Sequence, residues 1–255
     1  FLLKENRIVE MIETGPVFSK VRDTWCLIST IAKTKPDKKY MVLHRKLSRF
    51  IVSAEERLEK FGKSHWDMET KILQSVWQNR PKMIISYLAS TMEQKLIAKI
   101  ENHATLDQLT DIFRISRGEE GSKFDLEKHP NGEFSILITQ NVGRYSVEEG
   151  LQVSSSRLAS NKLESFYKHP KIWIIRIQKM RWEQRIVCSF DDRKNSAGMK
   201  TLQIVISTTD NLNELKYLQG ILASSLINFW CINYLADDMN QSYLEKIPIR
   251  VINYE

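Results

Sequence analysis

The chain has 255 residues, 42% of them hydrophobic and 27% charged, and a net charge of +7 at pH 7. That balance belongs to a folded chain and excludes a disordered one, and the length suffices for one large domain or two small ones. Gly and Pro together supply 15 residues, about half their usual share of roughly 12%, which argues against collagenous, linker-rich or turn-dense all-β architectures. No apolar run reaches the ~18 residues of a membrane span, and the mean hydropathy of -0.36 agrees. Three widely spaced cysteines, Cys26, Cys188 and Cys231, form neither a disulfide framework nor a zinc pattern. A reducing, cytoplasmic setting is expected.

In chain order, the opening FLLKENRIVEMIE carries no signal-peptide grammar, and a start at Phe1 reads as a piece of a longer protein. RIVEMIE (7–13) and TWCLISTI (24–31) predict a strand pair around a Gly-Pro breaker, and YMVLHRKL (40–47) predicts another strand. From 53 to 102 the pattern predicts helices: SAEERLEKF behind a Ser53 cap, then WDMETKILQSVWQ, then MIISYLASTMEQKLIAKIENH after Pro81. Thr105 and Gln108 fit a capping box that opens a short helix, TLDQLTDIF. The runs 134–139, 171–177, 185–190 and 202–207 are β-branched and predict strands. A long amphipathic helix is expected over 213–235, with Leu215, Leu218, Leu222 and Phe229 on one face, before the extended tail IPIRVI.

Charge is unevenly spread. Residues 33–63 and 162–200 each hold ten Lys/Arg against four Asp/Glu, which leaves the remainder acidic at -5. Two basic stretches on an acidic chain read as the footprint of a polyanion binder, or else as solvated faces. Nucleotide and hydrolase motifs are missing: no Walker loop, no G-x-G-x-x-G, no G-x-S-x-G, no H-E-x-x-H. The five histidines are scattered, so no metal site is expected. Pro36-Asp37 with Glu69-Thr70-Lys71 imitates a nuclease signature, a chance match in a charge-rich chain.

Three segments in order carry a resemblance: RISRGEEGSK (114–123), ILITQNVGRYSVEEG (136–150) and YLQGILASSLINFWCINYLADDMNQSYLEKIPI (217–249). Together they resemble the C-terminal specificity domain of TaqI-like, amino-group DNA adenine methyltransferases, including the methylase arms of fused restriction–modification enzymes. The N-terminal FLLKENRIVEMIETGPVFSKVRDTWCLISTIAK is similar to the last strands of that family's catalytic domain. The likeness is best over 106–255 and loosest over 33–100. Three departures stand out: Ala223-Ser224 where the family usually has Asn-Ser, Gly143 ahead of the arginine, and no Pro-Pro anywhere. Without Pro-Pro the family's catalytic N/D-P-P-[Y/F/W] motif is impossible here, and its glycine-rich S-adenosylmethionine motif is missing as well.

The resemblance implies an α+β fold: a β remnant of the catalytic domain over 1–52, a helical connector over 53–104, and a DNA target-recognition domain over 105–255 ending in a long helix. It implies a prokaryotic, cytoplasmic parent that is a site-specific adenine-N6 methyltransferase, for which S-adenosylmethionine is the expected cofactor. This chain is then expected to be a monomer that binds double-stranded DNA without catalytic, cofactor or metal sites of its own, and to lack its N-terminal methyltransferase domain. The alternative is a basic helical adaptor that binds RNA or an acidic protein without base readout. Such a DNA module needs cations for phosphates and Arg, Lys, Asn or Gln for base edges. The candidates are Arg114, Arg117, Lys123, Gln140, Asn141, Arg144, Tyr145, Arg157, Lys162, Arg176, Lys179, Arg181, Trp182, Arg185, Arg193 and Lys194, beside Asn195. Arg114 and Arg117 read equally as a turn packed on Glu119 and Glu120, and Trp182 as half-buried surface. Arg144, Arg181 and Arg185 lead as base readers; Lys162, Lys171 and Lys194 lead as phosphate contacts.

Overall fold

The computed structural model describes residues 2–18, 26–48, 50–78, 91–120, 131–177, 183–234 and 239–251. The fold is mixed α+β and divides into two compact units, Phe1–Ala98 and Lys99–Glu255.

The first unit holds α1 (Leu2–Glu5), β1 (Arg7–Gly15), β2 (Cys26–Ala32), β3 (Met41–Lys46), α2 (Ala54–Gly62), β4 (Met68–Leu73) and α3 (Gln74–Gln78). Its sheet runs β2-β1-β3-β4, with β1 antiparallel to β2 and parallel to β3, and β3 antiparallel to β4. Ile8, Met11, Val42, Ile72 and Trp77 form its core with Leu3. Each such buried aliphatic side chain contributes about 1.5–3 kcal/mol. Buried Gln74 accepts from Ile8 N at 2.9 Å and donates to Leu3 O and Asn6 O, which ties α3 to the start of the sheet. Ser53 caps α2 as expected, accepting from Glu56 N at 3.2 Å. The edge strand β2 leaves Leu27, Ile28 and Ile31 exposed.

One expectation fails here. METKIL is strand, not helix: each residue from Met68 to Leu73 pairs across to β3, Met41 opposite Leu73. Met68, Thr70 and Ile72 turn inward in strict alternation while Glu69, Lys71 and Leu73 face out. The open edge of β3 supplied a ladder that outweighed the local helical spacing. The helix resumes only as the short α3. Of the third predicted helix, 83–90 lies outside the described residues and 91–100 is α4 (Thr91–Ile100).

The second unit begins with a 3-10 turn, Leu106–Gln108, in place of the expected helix; Gln108 Oε1 accepts from Thr105 N at 3.0 Å. There follow β5 (Phe113–Arg117), β6 (Phe134–Leu137), β7 (Leu151–Val153), α5 (Ser160–Lys162) running into a π-turn, β8 (Lys171–Ile175), β9 (Cys188–Asp191), β10 (Ser196–Gly198), β11 (Leu202–Ser207), α6 (Leu212–Leu222), α7 (Ser225–Tyr234) and α8 (Gln241–Leu244). Two sheets form: β10-β6-β7, and an antiparallel β5-β11-β8-β9. In the smaller sheet β10 runs parallel to β6 and β7 antiparallel to it. Phe134, Ile136, Leu137 and Val153 from one sheet meet Trp173, Ile175, Leu202, Ile204 and Ile206 from the other in a single core. Among the described residues, no helix is long and apolar enough to cross a membrane.

The expected helix over 213–235 is two helices. Ser224 stops the first and caps the second: its Oγ accepts from Ile227 N at 3.2 Å. The carbonyl of Ala223, at the break, is thereby freed for a side-chain partner. The expected extended tail is tied back to the start of the unit, where Leu106 N and Asp107 N donate to Ile247 O and Glu245 O, and Ile249 N donates to Ala104 O.

Candidate nucleic-acid interface

Strand pairing sorts the candidate residues into two groups. Gln140 and Asn141 sit in a 3-10 turn just beyond the C-terminal end of β6, and the Arg144-Tyr145 turn follows. Arg193, Lys194 and Asn195 precede β10, which is parallel to β6, and so lie at the other end; Asn195 O accepts from Ser135 N at 2.8 Å. The ends are separated by roughly 10 Å along β6. In the larger sheet Arg117 pairs with Gln203 and Ile175 with Leu202, while the carbonyl of Cys188 accepts from Tyr145 N at 3.4 Å. These pairings bring Arg117 and Arg176 toward the Arg144-Tyr145 end. Arg114, opposite Ile206, lies toward the Lys171–Asp191 pair at the other.

At the first end, Arg144 Nη2 donates to Ala223 O at 2.9 Å, and its guanidinium lies over the Tyr145 ring, 5.1 Å from the centroid. Two of the segments that carried the family resemblance therefore meet in this hydrogen bond. Asn141 is spent on its own loop: it accepts from Ile138 N and donates to Glu149 O, each at 2.9 Å. Arg117 pairs with Glu120 at 2.6 Å, and Glu120 also faces Lys200 at 3.4 Å. Glycine is required at 118, because a Cβ there would sit 2.2 Å from Met199 O. That close approach lets Glu119 N reach Gly198 O, and the buried Glu119 carboxylate accepts from Tyr167 Oη at 2.7 Å and from Ala159 N. Burial, then Glu119, raises the Tyr167 phenol far above its ordinary value.

The second end is built on a buried polar cluster. Lys171 is fully buried, and its Nζ donates to Tyr167 O, Arg193 O and Ser196 Oγ at 2.7–3.0 Å. Asp191 accepts from Trp173 Nε1 and Ser196 Oγ and from the Arg193 guanidinium at 2.7 and 3.1 Å. Burial opposes ionisation of Asp191. The hydrogen bonds from Arg193, Ser196 and Trp173, with the charge of Lys171, outweigh it and hold the carboxyl below its ordinary value. Burial lowers Lys171 to about 7 against the pull of Asp191. The loop from 191 to 196 is thus fixed from inside, and Lys194 stands exposed on it.

The surface contacts expected of Arg185, Lys171 and Lys162 need correction. Arg185 is completely buried, with its backbone N donating to Asn228 Oδ1 at 2.6 Å, and it does not present a guanidinium at the surface. Lys171 is interior for the reasons above. Lys162 turns inward, Nζ donating to Arg117 O and Gly118 O at 2.8 and 3.0 Å. Arg114 lies over the Phe166 ring and donates to Ser165 O at 2.7 Å. Arg157 ends a 3-10 turn and is exposed, and Arg176 is half-buried, its backbone joined to Thr201 and Met239. Lys123, Lys179, Arg181 and Trp182 lie outside the described residues. Of the groups that position this surface, Asp191 and Ser196 were not singled out in the sequence, and Glu119 and Ala223 were named there only as a turn partner and as a departure from the family pattern. Only an Asp two places before Arg193 and a Lys leading an apolar run hinted at them.

Among solved structures, the chain is similar to the type IIG restriction endonuclease BpuSI, with 10% sequence identity and a TM-score of 0.44 over 99% of this chain. It spans 37% of that enzyme's chain. No curated protein matches it. Residues 135–249 match the model of the TaqI-like C-terminal specificity domain.

Proposed function

We propose that this chain recognises a specific double-stranded DNA sequence on behalf of a restriction–modification adenine-N6 methyltransferase. Methyl transfer and S-adenosylmethionine binding would belong to a catalytic domain of the parent enzyme, working in the cytoplasm with this module as a monomer. The observation that carries the reading is the specificity-domain match over 135–249, which contains both clusters of cationic and amide side chains. The chemistry fits the division of labour. Methylating a base in a duplex requires turning it out of the stack, at a cost of a few kcal/mol, while a second module holds and selects the site.

Exposed Lys194 and Arg157 suit phosphate contacts, which carry no sequence information. Gln140 and Arg144, at the other end of β6, suit base edges. Arg185 and Lys162 act behind this surface, because their side chains are committed inside the protein. The test is binding of the chain to a randomised duplex pool, followed by a salt titration on the enriched duplex and on a scrambled one. Enrichment of one sequence, with affinity falling steeply in salt for both duplexes, is the expected result. Equal affinity for all duplexes, or preference for RNA, would replace the reading with that of a basic adaptor.

A further inference from the structure

Tyr145 has φ +73°. That left-handed region suits Gly, Asn and Asp; for a bulky aromatic residue it is a true outlier, sustained only where the surroundings over-determine it. The turn is closed from both sides. Val142 and Val147 form an antiparallel bridge, Gly143 N donates to Ser146 O at 2.9 Å, and Tyr145 N reaches Cys188 O in β9. A Cβ at Gly143 would stand 2.5 Å from Ser146 Oγ, so a larger residue there would make that hydroxyl rotate away.

The outcome is a large aromatic side chain turned out to solvent, 59% exposed. One face lies under the Arg144 guanidinium, which is itself anchored to Ala223 O. The fold gains nothing from this arrangement: the backbone is strained, the ring is not buried, and asparagine would suit the position better. A fixed cation behind an outward aromatic face is, however, a good surface for a flat π-system.

We propose that Tyr145 is a stacking platform for a nucleobase, with Arg144 holding the ring from behind and the exposed part of the ring taking a base that has lost its neighbour at the target site. The inference rests on the reading of the chain as a DNA-recognition module and assigns this turn its role. Stacking of this kind is tolerant of base identity, because every base has a π-face. Tyr145 therefore supplies affinity and register, while neighbouring polar groups supply selectivity.

The experiment compares wild type with Tyr145→Asn and Tyr145→Phe on the duplex enriched from the random pool, and scans 2-aminopurine through that duplex. Tyr145→Asn keeps a side chain suited to the backbone but removes the ring. It should raise Tm by about 2–4 °C while weakening duplex binding about tenfold or more. The salt slope should not change, since no phosphate contact is lost. Tyr145→Phe should bind within about twofold of wild type. At one position of the scan, 2-aminopurine emission should respond to wild type and to Tyr145→Phe, and not to Tyr145→Asn. If Tyr145→Asn binds as wild type does, or lowers Tm, the platform is wrong although DNA recognition stands. If wild type enriches no duplex, the reading beneath it has failed first.

Discussion

The turn at 143–146 and the loop at 191–196 both present cationic side chains from opposite ends of the same short sheet, and they are held rigid by opposite means. The loop is fixed by side chains: Lys171, Asp191, Ser196 and Trp173 form a buried hydrogen-bonded cluster behind it. The turn is fixed by backbone: one β-bridge, two N–H donors and a tyrosine in a conformation it disfavours. A side-chain lock places its energy in buried charge, so breaking it unfolds structure. A backbone lock stores strain, so relaxing it stabilises structure and loses the shape. Substitutions in the two regions should therefore move stability in opposite directions.

The largest effect belongs to the loop. Asp191→Asn leaves the buried Lys171 ammonium and the Arg193 guanidinium without their carboxylate, and should cost about 3–5 kcal/mol by chemical denaturation. Adding Lys171→Met should cost much less than the two single losses combined, because the second change removes the charge that the first left unpaired. Additive losses would mean that Lys171 and Asp191 are not coupled and that the loop is held by its backbone, as the turn is. At the other end, Lys162→Ala removes two donors from the carbonyls of Arg117 and Gly118. A loss of about 1.5 kcal/mol is expected, with the salt dependence of DNA binding unchanged. A change in that salt slope would show that the ammonium also reaches phosphate.

These effects explain which parts of the molecule were legible in the sequence. The strands LQIVIS and KIWII were readable because their apolar runs are buried throughout. METKIL was not, because alternation in so short a segment also fits one helical face, and only the ladder with β3 decides. RISR was read as part of a turn, yet β5 pairs residue by residue with β11, from Arg117 opposite Gln203 to Phe113 opposite Ser207. The break between α6 and α7 was visible only as a serine, since Leu218, Leu222 and Leu226 continue the apolar spacing across it. For the site, sequence supplied residue types but not directions. Arg185 and Lys171 carry the charge expected of DNA contacts, yet both point into the core. No spacing rule separates a lysine that leads a buried strand from one that ends on a loop.

Titration sharpens the contrast further. Lys171 faces Asp191 and Arg193, and burial lowers it from 10.5 to about 7. Between those values the unfolded chain holds more protons than the folded one, so stability should rise as pH increases from about 7 toward 10.5. Lys171→Met should flatten that rise. In the first unit, buried His44 is lowered by burial, and then by Lys46, to about 4. Its contribution is complete above 6.5 and is lost as pH falls from 6.5 toward 4. Denaturation midpoints measured across both windows check the two groups separately. A Lys171→Met protein that keeps the alkaline rise would move its origin away from the loop's lock.

The smallest effect concerns Lys194, the exposed lysine on the locked loop. Of the three lysines expected at phosphates, Lys162 and Lys171 spend their ammonium groups on protein oxygens, whereas Lys194 lies between the Asp191–Arg193 pair and β10 with its side chain exposed. Among the described residues no buried bond depends on its charge, so Lys194→Ala should leave the denaturation midpoint within about 0.5 kcal/mol of wild type. It should weaken enriched and scrambled duplexes equally and lower the salt slope by about one, since one fewer counterion is released when one phosphate contact is lost. The same measurement on Tyr145→Asn is expected to weaken binding with no change in slope. If Lys194→Ala weakens only the enriched duplex, the loop reads bases, and the division of labour between the two ends is reversed.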